Sequence, residues 1–410
     1  MKWKWKVSDL YLIDKEKLAT GLFNVGVLIA FLGSLNPWFM WWIGNLYPIP
    51  AAMCVGGAYM VMRTTNRSFF TRNEYLLPLL FFIFYYFYER MSLGLGVNGY
   101  IIGLFRATIF LFLFRLSFEK IQKMIVFLSK CLAVLLSFSL LGLFLYLSGF
   151  PLPSTNVQFG EFYSYTNYYL FMLDDRALFQ ILPRFHAVFI EPSHIGTACA
   201  FLLFSQRGKW RKWYNIVMLT TLFLTFSLAS YIYIVVIVFL NLWIRGKQMI
   251  RKLVATLAVI SVALIVTFTY NKGNNLVHDL ILLRMEIEDG EMAGDNRISN
   301  NFEGDYENFI SSSDVLLGRE MDNSEFGNAG YRVFFYEHGI VGVVLVWLFY
   351  VVSLMYTPNK RAFVSVLFVA LLFFGASAFM LWDNIFIPLY AAAYLTPQTL
   401  SESNPIIQET

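Results

Sequence analysis

Cysteine is scarce in this chain, and its placement excludes two kinds of architecture. Only three cysteines occur among the 410 residues, and Cys54, Cys131 and Cys199 all lie in apolar runs. Thiols in such positions normally act as small packing side chains, which argues against a disulfide framework and against a metal-binding cluster. We therefore expect neither a metal site nor a cofactor.

Charged residues are also few, and this sets the class of protein. They make up 14% of the chain, against 58% hydrophobic and 19% aromatic residues, and the mean hydropathy is +0.58. A soluble globule could not cover so much apolar surface. The net charge of +4 is spread over short, separate groups of Lys and Arg, so no basic patch is left for nucleic acid. The composition predicts a polytopic membrane protein.

Apolar runs long enough to cross a bilayer recur along most of the chain, with no soluble domain between them. They lack the two-residue alternation of membrane strands, which predicts helices. We place them near residues 21–41, 43–62, 74–89, 100–118, 124–148, 188–206, 213–227, 230–244, 253–270, 339–357, 362–380 and 384–398. The sequence thus predicts an all-α fold, a polytopic transmembrane helical bundle of about 11 to 12 helices that forms one integral membrane domain over residues 1–410. The last run has an alternative as a short re-entrant segment. Asp383, near the outer turn of the final pair of helices, is a candidate for the rim of a site.

Two connections are much longer than the others. Lys and Arg collect on every second connection, which fixes the orientation of the bundle by the positive-inside rule. The long connections, residues 149–188 and 271–338, lie on the opposite, extracytoplasmic side. Connections of that length are commonly functional, so we expect the function to face outward.

Ionisable residues concentrate where the first long loop returns to the membrane, from Arg184 to Gly196. A carboxylate or guanidinium at the centre of a membrane helix costs about 3 kcal/mol, which favours a functional reading of such a cluster. We predict Glu191 as a general base, because partial desolvation raises the pKa of a carboxylate toward a useful value. His194, about one helical turn later, would share the proton. The alternatives are an ion pair of Glu191 with Arg106 or Arg184, and a packed polar role for the histidines.

Arginine is suited to a bidentate grip on phosphate, and several arginines are placed for it. We assign Arg184, Arg297 and Arg332 to a pyrophosphate, with pairing to a nearby carboxylate as the alternative for the last two. Arg106 lies inside an apolar run, where it either snorkels outward or faces the bundle interior and helps to hold a lipid pyrophosphate. His338 completes the set of substrate-binding candidates.

Short motifs in the second half of the chain carry a family resemblance. They are Leu316-Leu317-Gly318, Asn328-Ala329-Gly330-Tyr331 and Phe335-Tyr336-Glu337-His338-Gly339-Ile340-Val341-Gly342. With the topology, this pattern resembles the O-antigen polymerase and ligase superfamily, and the stretch from Arg184 to Gly196 is similar to the polymerase branch. The ligase branch has His-Asn where this chain has Asn328-Ala329, and this departure favours the polymerase branch.

The resemblance implies a metal-independent membrane glycosyltransferase in the bacterial inner membrane, with its active site facing the periplasm. It would polymerise lipid-linked oligosaccharide repeat units of O-antigen, capsule or exopolysaccharide. Glycan would pass from undecaprenyl pyrophosphate to a lipid-linked acceptor sugar. The resemblance also implies a chain-length regulator and a flippase as partners. The alternatives are ligase-type glycan transfer and a polysaccharide-related transporter; the lack of an internal repeat in the sequence counts against a transporter.

Overall fold

The structure, a computed structural model, describes residues 7–43, 46–64, 74–92, 97–159, 163–175, 183–245, 300–320 and 330–395, together with 287–288, 291–292 and isolated helical positions between 251 and 269. Helices dominate these residues. They are α1 (Val7–Gly33), α2 (Pro48–Thr64), α3 (Leu76–Ser92), α4 (Val97–Arg115), α5 (Phe118–Leu147), α6 (Pro192–Ser205), α7 (Trp213–Leu224), α8 (Leu228–Arg245), α9 (Asn300–Ile310), α10 (Gly330–Leu354), α11 (Lys360–Ala376) and α12 (Asp383–Tyr394).

Apolar composition and length identify the helices that can cross a membrane. Among the described residues, α4, α5 and α10 meet both conditions, and α1, α3, α7 and α8 contain shorter apolar helical stretches. The predicted helical fold class with membrane-length apolar helices is therefore confirmed.

The first and the last predicted spans do not match the observed helices. The first run was placed at 21–41, but α1 ends at Gly33, and a short 3-10 helix follows at Trp38–Ile43. Between them Asn36 has a φ of 50° and is followed by Pro37, which has no N–H to donate to a helix. The last run is the 12-residue α12, which rises only about 18 Å and is too short to cross a bilayer. It matches the alternative of a short segment.

The most buried part of the bundle lies where α6 packs against α12. Every residue from Ile195 to Ser205 on α6 is buried, and so is every residue of α12. α6 also contacts α7 and α8, while α12 contacts α11. Residues at the first turns of α6 and α12 are therefore held by the core of the protein.

A small antiparallel sheet lies in the first long loop, where the sequence analysis predicted no strand. Its strands are β1 (Thr155–Phe159), β2 (Tyr163–Asn167) and β3 (Met172–Asp174), in that order, and a further hairpin pairs β4 (Ile287–Glu288) with β5 (Glu291–Met292). In the register, Tyr165 lies opposite Val157 on one side and Asp174 on the other. The run Tyr163-Ser164-Tyr165-Thr166 alternates aromatic and small polar residues, which is a strand signal.

The sheet is attached to the segment that leads into α6. The Tyr165 hydroxyl donates to the carbonyl of Ile190 at 2.7 Å, and the N–H of Met172 donates to the carbonyl of Ala187 at 2.8 Å. From the other side, the N–H of Trp38 donates to the carbonyl of Val188 at 3.0 Å. Residues 184–191, the segment before α6, are thus held between the sheet and the connection after α1. We call these residues the clamped segment.

Helix α10 is interrupted at Gly339, where φ is 59° and ψ is −168°. A turn at residues 313–319 docks against this break. The N–H of Arg319 donates to the carbonyl of Tyr336 at 2.8 Å, and the N–H of Val341 donates to the carbonyl of Leu316 at 3.1 Å. Backbone groups freed by the break are therefore paired with this turn, which joins the second long loop to α10.

Replacing Gly339 by Ala is expected to destabilise the protein by about 1 to 3 kcal/mol. A Cβ there would lie 2.5 Å from the Leu316 oxygen and 2.6 Å from the Gly318 nitrogen, at a φ that L-residues rarely adopt. Thermal unfolding in detergent measures the effect. The matched control is Gly375→Ala in α11, where a Cβ meets nothing within 4 Å and should stabilise by up to about 1 kcal/mol. Equal melting of the Gly339→Ala variant and the wild type would refute the steric account.

Candidate active site

Glu191 lies at the junction between the clamped segment and α6. It is the N-cap residue, with φ −130° and ψ 144°, and Pro192 begins the helix. Proline suits this first position, because its missing N–H has no partner there and its fixed φ is already helical. The Glu191 side chain makes no capping hydrogen bond to its own helix. Its carboxylate is directed to other side chains instead.

Both carboxylate oxygens of Glu191 accept hydroxyl hydrogen bonds. Tyr163 of β2 donates to Oε1, and Ser193 donates to Oε2 at 2.8 Å. His194 Nε2 lies 3.9 Å from the same Oε2, and the Glu191 and His194 side chains are 25% and 21% exposed. The two predicted catalytic residues are therefore neighbours at a half-buried position. The distance is too long for a hydrogen bond, but it allows an ion pair once the imidazole is protonated.

Aromatic side chains from the connection between α11 and α12 flank His194. Its ring meets Trp382 edge-on at 5.1 Å and Phe379 at 6.2 Å. Phe379 and Trp382 stack on each other at 4.1 Å. These contacts fix the plane of the imidazole and cover one side of the Glu191–His194 pair.

Arg106 is more buried than Glu191 and His194, and it lies against the start of α12. It is 7% exposed, and its Nε lies 3.8 Å from Oδ2 of Asp383, which is fully buried. The guanidinium also donates to the carbonyl of Leu381, and the Tyr47 hydroxyl donates to Asp383 Oδ2 at 2.8 Å. Arg106 faces the bundle interior and does not snorkel outward. Asp383 is not at a rim, because the first turn of α12 lies inside the core.

Arg184 and His186 hold the clamped segment to its surroundings. Arg184 Nε donates to the carbonyl of Thr225, at the end of α7, at 3.3 Å. His186 is 2% exposed, and its Nδ1 is 2.5 Å from the carbonyl oxygen of Phe189. Burial lowers the pKa of His186 to about 4, so the ring is neutral at neutral pH. His186 therefore has the packed polar role among the predicted alternatives.

Arg332 lies in the first turn of α10 and contacts α9. Its Nη1 is 3.7 Å from Oε1 of Glu303, and its guanidinium lies 5.7 Å from the centre of the Tyr306 ring. The alternative of a carboxylate partner is the one observed for Arg332. Arg297 lies outside the described residues.

His338 belongs to a second polar cluster, between α3 and α10. It is 3% exposed, with Phe334 stacked on its ring at 4.5 Å and Tyr85 at 6.4 Å. Its Nε2 lies 3.8 Å from Glu89 Oε1, and its Nδ1 lies 3.9 Å from Glu337 Oε2. These contacts of His338 are therefore with Tyr85 and Glu89 of α3 and with Phe334 and Glu337 of its own helix.

Several residues of this site were not predicted from the sequence. The alternating pattern of β2 could have indicated Tyr163, and Ser193 could have been found from its position two residues after Glu191. Trp382 and Tyr47 had none, because only the tertiary fold brings them to the site. Within the described part of the chain, no three His, Cys, Asp or Glu side chains are grouped as a metal ion requires.

Comparison with known proteins gives no relative for this chain. No family model, no curated protein and no solved structure matches it. The chemistry of the candidate site is therefore the guide to its function.

Proposed function

We propose that this protein is a membrane glycosyltransferase that polymerises lipid-linked oligosaccharides on the outer face of the bacterial inner membrane. One observation carries the proposal. Glu191 and His194 lie 3.9 Å apart at the first turn of an otherwise buried helix, and two hydroxyls bind the carboxylate. A half-buried acid–base pair of this kind suits proton transfer from a hydroxyl group.

The proposed reaction transfers one proton and replaces one covalent bond of the anomeric carbon by another. Glu191 removes the proton from an acceptor sugar hydroxyl as its oxygen attacks the anomeric carbon of the donor. The new glycosidic bond forms while the bond to the pyrophosphate oxygen breaks, and undecaprenyl pyrophosphate leaves with the electron pair. His194 in its neutral form lies 3.9 Å from the carboxylate, close enough to receive this proton from Glu191 after the transfer and so restore the base.

The departing pyrophosphate needs positive charge near its oxygens. Arg184 is the strongest candidate among the described arginines, because it lies on the same clamped segment as Glu191 and is only partly buried. Arg297 stays a candidate from its residue type alone. Arg332 would have to exchange Glu303 for the phosphate, and Arg106 is already held by Asp383.

The finer topology belongs to the same proposal. It comprises about 11 to 12 membrane helices, two long outer loops, and polyprenyl tails that stay in the bilayer while their glycans meet above α6. A flippase would deliver the substrates, and a chain-length regulator would act on the product. Ligase-type transfer of a finished glycan is the nearest variant of this chemistry.

A transporter is the second candidate function, and one observation favours it. Residues 377–382 are non-helical between α11 and α12, and they adjoin the buried Arg106–Asp383 pair. Discontinuous helices beside buried charges are typical of secondary transporters.

The deciding experiment incubates the purified protein, in lipid nanodiscs, with undecaprenyl-pyrophosphate oligosaccharides and no metal or nucleotide sugar. We expect a ladder of lipid-linked products spaced by whole repeat units on a gel. One product that forms only with a separate acceptor would favour the ligase variant. Unchanged substrate with a well-folded protein would reject the enzyme, and movement of the glycan across proteoliposomes would then establish the transporter.

A further inference from the structure

We infer that Tyr163 is a positioning residue for Glu191, and that the β1–β3 sheet is the frame that holds the carboxylate in place. The inference rests on the proposed function for its catalytic meaning. Its structural content, that one hydroxyl from the first loop controls the Glu191 carboxylate, is testable without any turnover.

Side chains of β2 donate hydrogen bonds to two consecutive residues of the clamped segment, Ile190 and Glu191. Tyr163 and Tyr165 are two apart, so they lie on the same face of the strand, and their rings are parallel within 1° at 6.1 Å. The Tyr163 hydroxyl donates to the Glu191 carboxylate, and the Tyr165 hydroxyl donates to the Ile190 carbonyl at 2.7 Å. One strand thus fixes the backbone before Glu191 and the side chain of Glu191 itself.

The strand is rigid enough to position a side chain. Tyr165 is 1% exposed, with Trp41 at 6.1 Å and His186 at 5.5 Å from its ring. On the opposite face of β2, Ser164 and Thr166 both donate hydrogen bonds to the carboxylate of Asp175. Both faces of β2 are therefore anchored, which defines where the Tyr163 hydroxyl lies.

The chemical consequence follows from the protonation state that these bonds favour. A hydroxyl that donates to a carboxylate stabilises the ionised form, which is the form a general base needs. Ionisable groups near Glu191 include Tyr163 from the sheet, His194 from its own helix, and His186 within electrostatic range on the clamped segment. Burial lowers the pKa of His186 to about 4, so this imidazole carries no charge near neutral pH.

The test is Tyr163→Phe, which removes one hydroxyl and keeps the ring. Dicyclohexylcarbodiimide reacts with protonated carboxyl groups, and mass spectrometry gives the labelled fraction of Glu191 at each pH. We expect the labelling midpoint to move about one pH unit upward in Tyr163→Phe. Tyr169→Phe, at the exposed turn after β2, should label with the wild-type midpoint. The same upward shift is expected on a His194→Gln background, which removes the neighbouring imidazole and so isolates the effect of the Tyr163 hydroxyl.

The same variant is then assayed for polymer growth against pH. The acidic limb of the rate profile should move upward by about the same amount, and the rate on the alkaline plateau should fall several-fold, because the carboxylate loses one of the two hydroxyls that hold it. An unmoved labelling midpoint would overturn the inference whatever the activity. A moved midpoint in a protein that makes no polymer would support the positioning role and reject the proposed function, so the two failures are distinguishable.

Discussion

Glu191→Gln is expected to reduce polymer growth by about 100-fold to 10,000-fold, the range typical for loss of a general base. The amide has nearly the shape of the carboxylate and can still accept a hydrogen bond from Tyr163 or Ser193. It cannot take a proton from an acceptor hydroxyl. The loss should therefore be in the rate of the chemical step and not in folding.

The measurement is the initial rate of ladder formation in nanodiscs, with melting temperature as the check on folding. Glu307→Gln is the matched control, since Glu307 is exposed on α9 and the same change there should leave the rate within about two-fold. A normal ladder from Glu191→Gln would remove Glu191 from the mechanism. Loss of the folded state would show that its role is structural.

Arg106→Leu is expected to lower the free energy of unfolding by about 3 to 5 kcal/mol. The change leaves the Asp383 carboxylate fully buried without its cation. It also deprives the Leu381 carbonyl of its donor. Both losses act at the start of α12, so this helix should detach first.

The double variant Arg106→Leu/Asp383→Leu tests that reason, because it removes both charges together. It should recover most of the stability, since a buried ion pair is often no better than apolar side chains of similar size. Lys123→Met is the matched control, which breaks an ion pair whose side chains are 61% and 58% exposed and should change stability by less than about 0.5 kcal/mol. Additive losses in the double variant would contradict a direct Arg106–Asp383 interaction.

The long apolar helices were predictable because a bilayer-length hydrophobic run is a local signal. α4, predicted at 100–118, is observed at Val97–Arg115 and has the length and composition of a membrane span. α5 was predicted from residue 124 but begins at Phe118, because Ser117 caps it by accepting from the N–H of Lys120. The first turn is polar, so hydropathy alone assigned it to the loop.

Elements that depend on distant partners were not predictable. The break at Gly339 is stable because the 313–319 turn supplies the missing backbone partners. The sheet in the first loop lies within a segment that hydropathy treats only as a connection. Its alternating pattern spans a few residues, which is too short to compete with the helical runs around it.

The residues of the candidate site also fall into two groups, those whose proximity follows from their spacing in the sequence and those that only the tertiary fold brings together. Glu191 and His194 are three residues apart at a helix start, so their proximity could be predicted from spacing. Arg106 was chosen for its residue type, but its partner Asp383 is far away in the sequence. The same holds for Tyr163, whose hydroxyl reaches Glu191 only because β2 folds back on the clamped segment.

The short α12 also has a consequence for the biosynthesis of the protein. Its first turn carries Asp383 and Asn384, which contact Arg106, Tyr47 and Ser34 from parts of the chain synthesised much earlier. A 12-residue helix is too short to span a bilayer, and its carboxylate would be costly to place in lipid, so α12 does not insert by itself. It can settle only into a bundle that already offers those partners. The groove for α12 must therefore stay open until residues 383–394 have been synthesised and can reach Arg106, Tyr47 and Ser34.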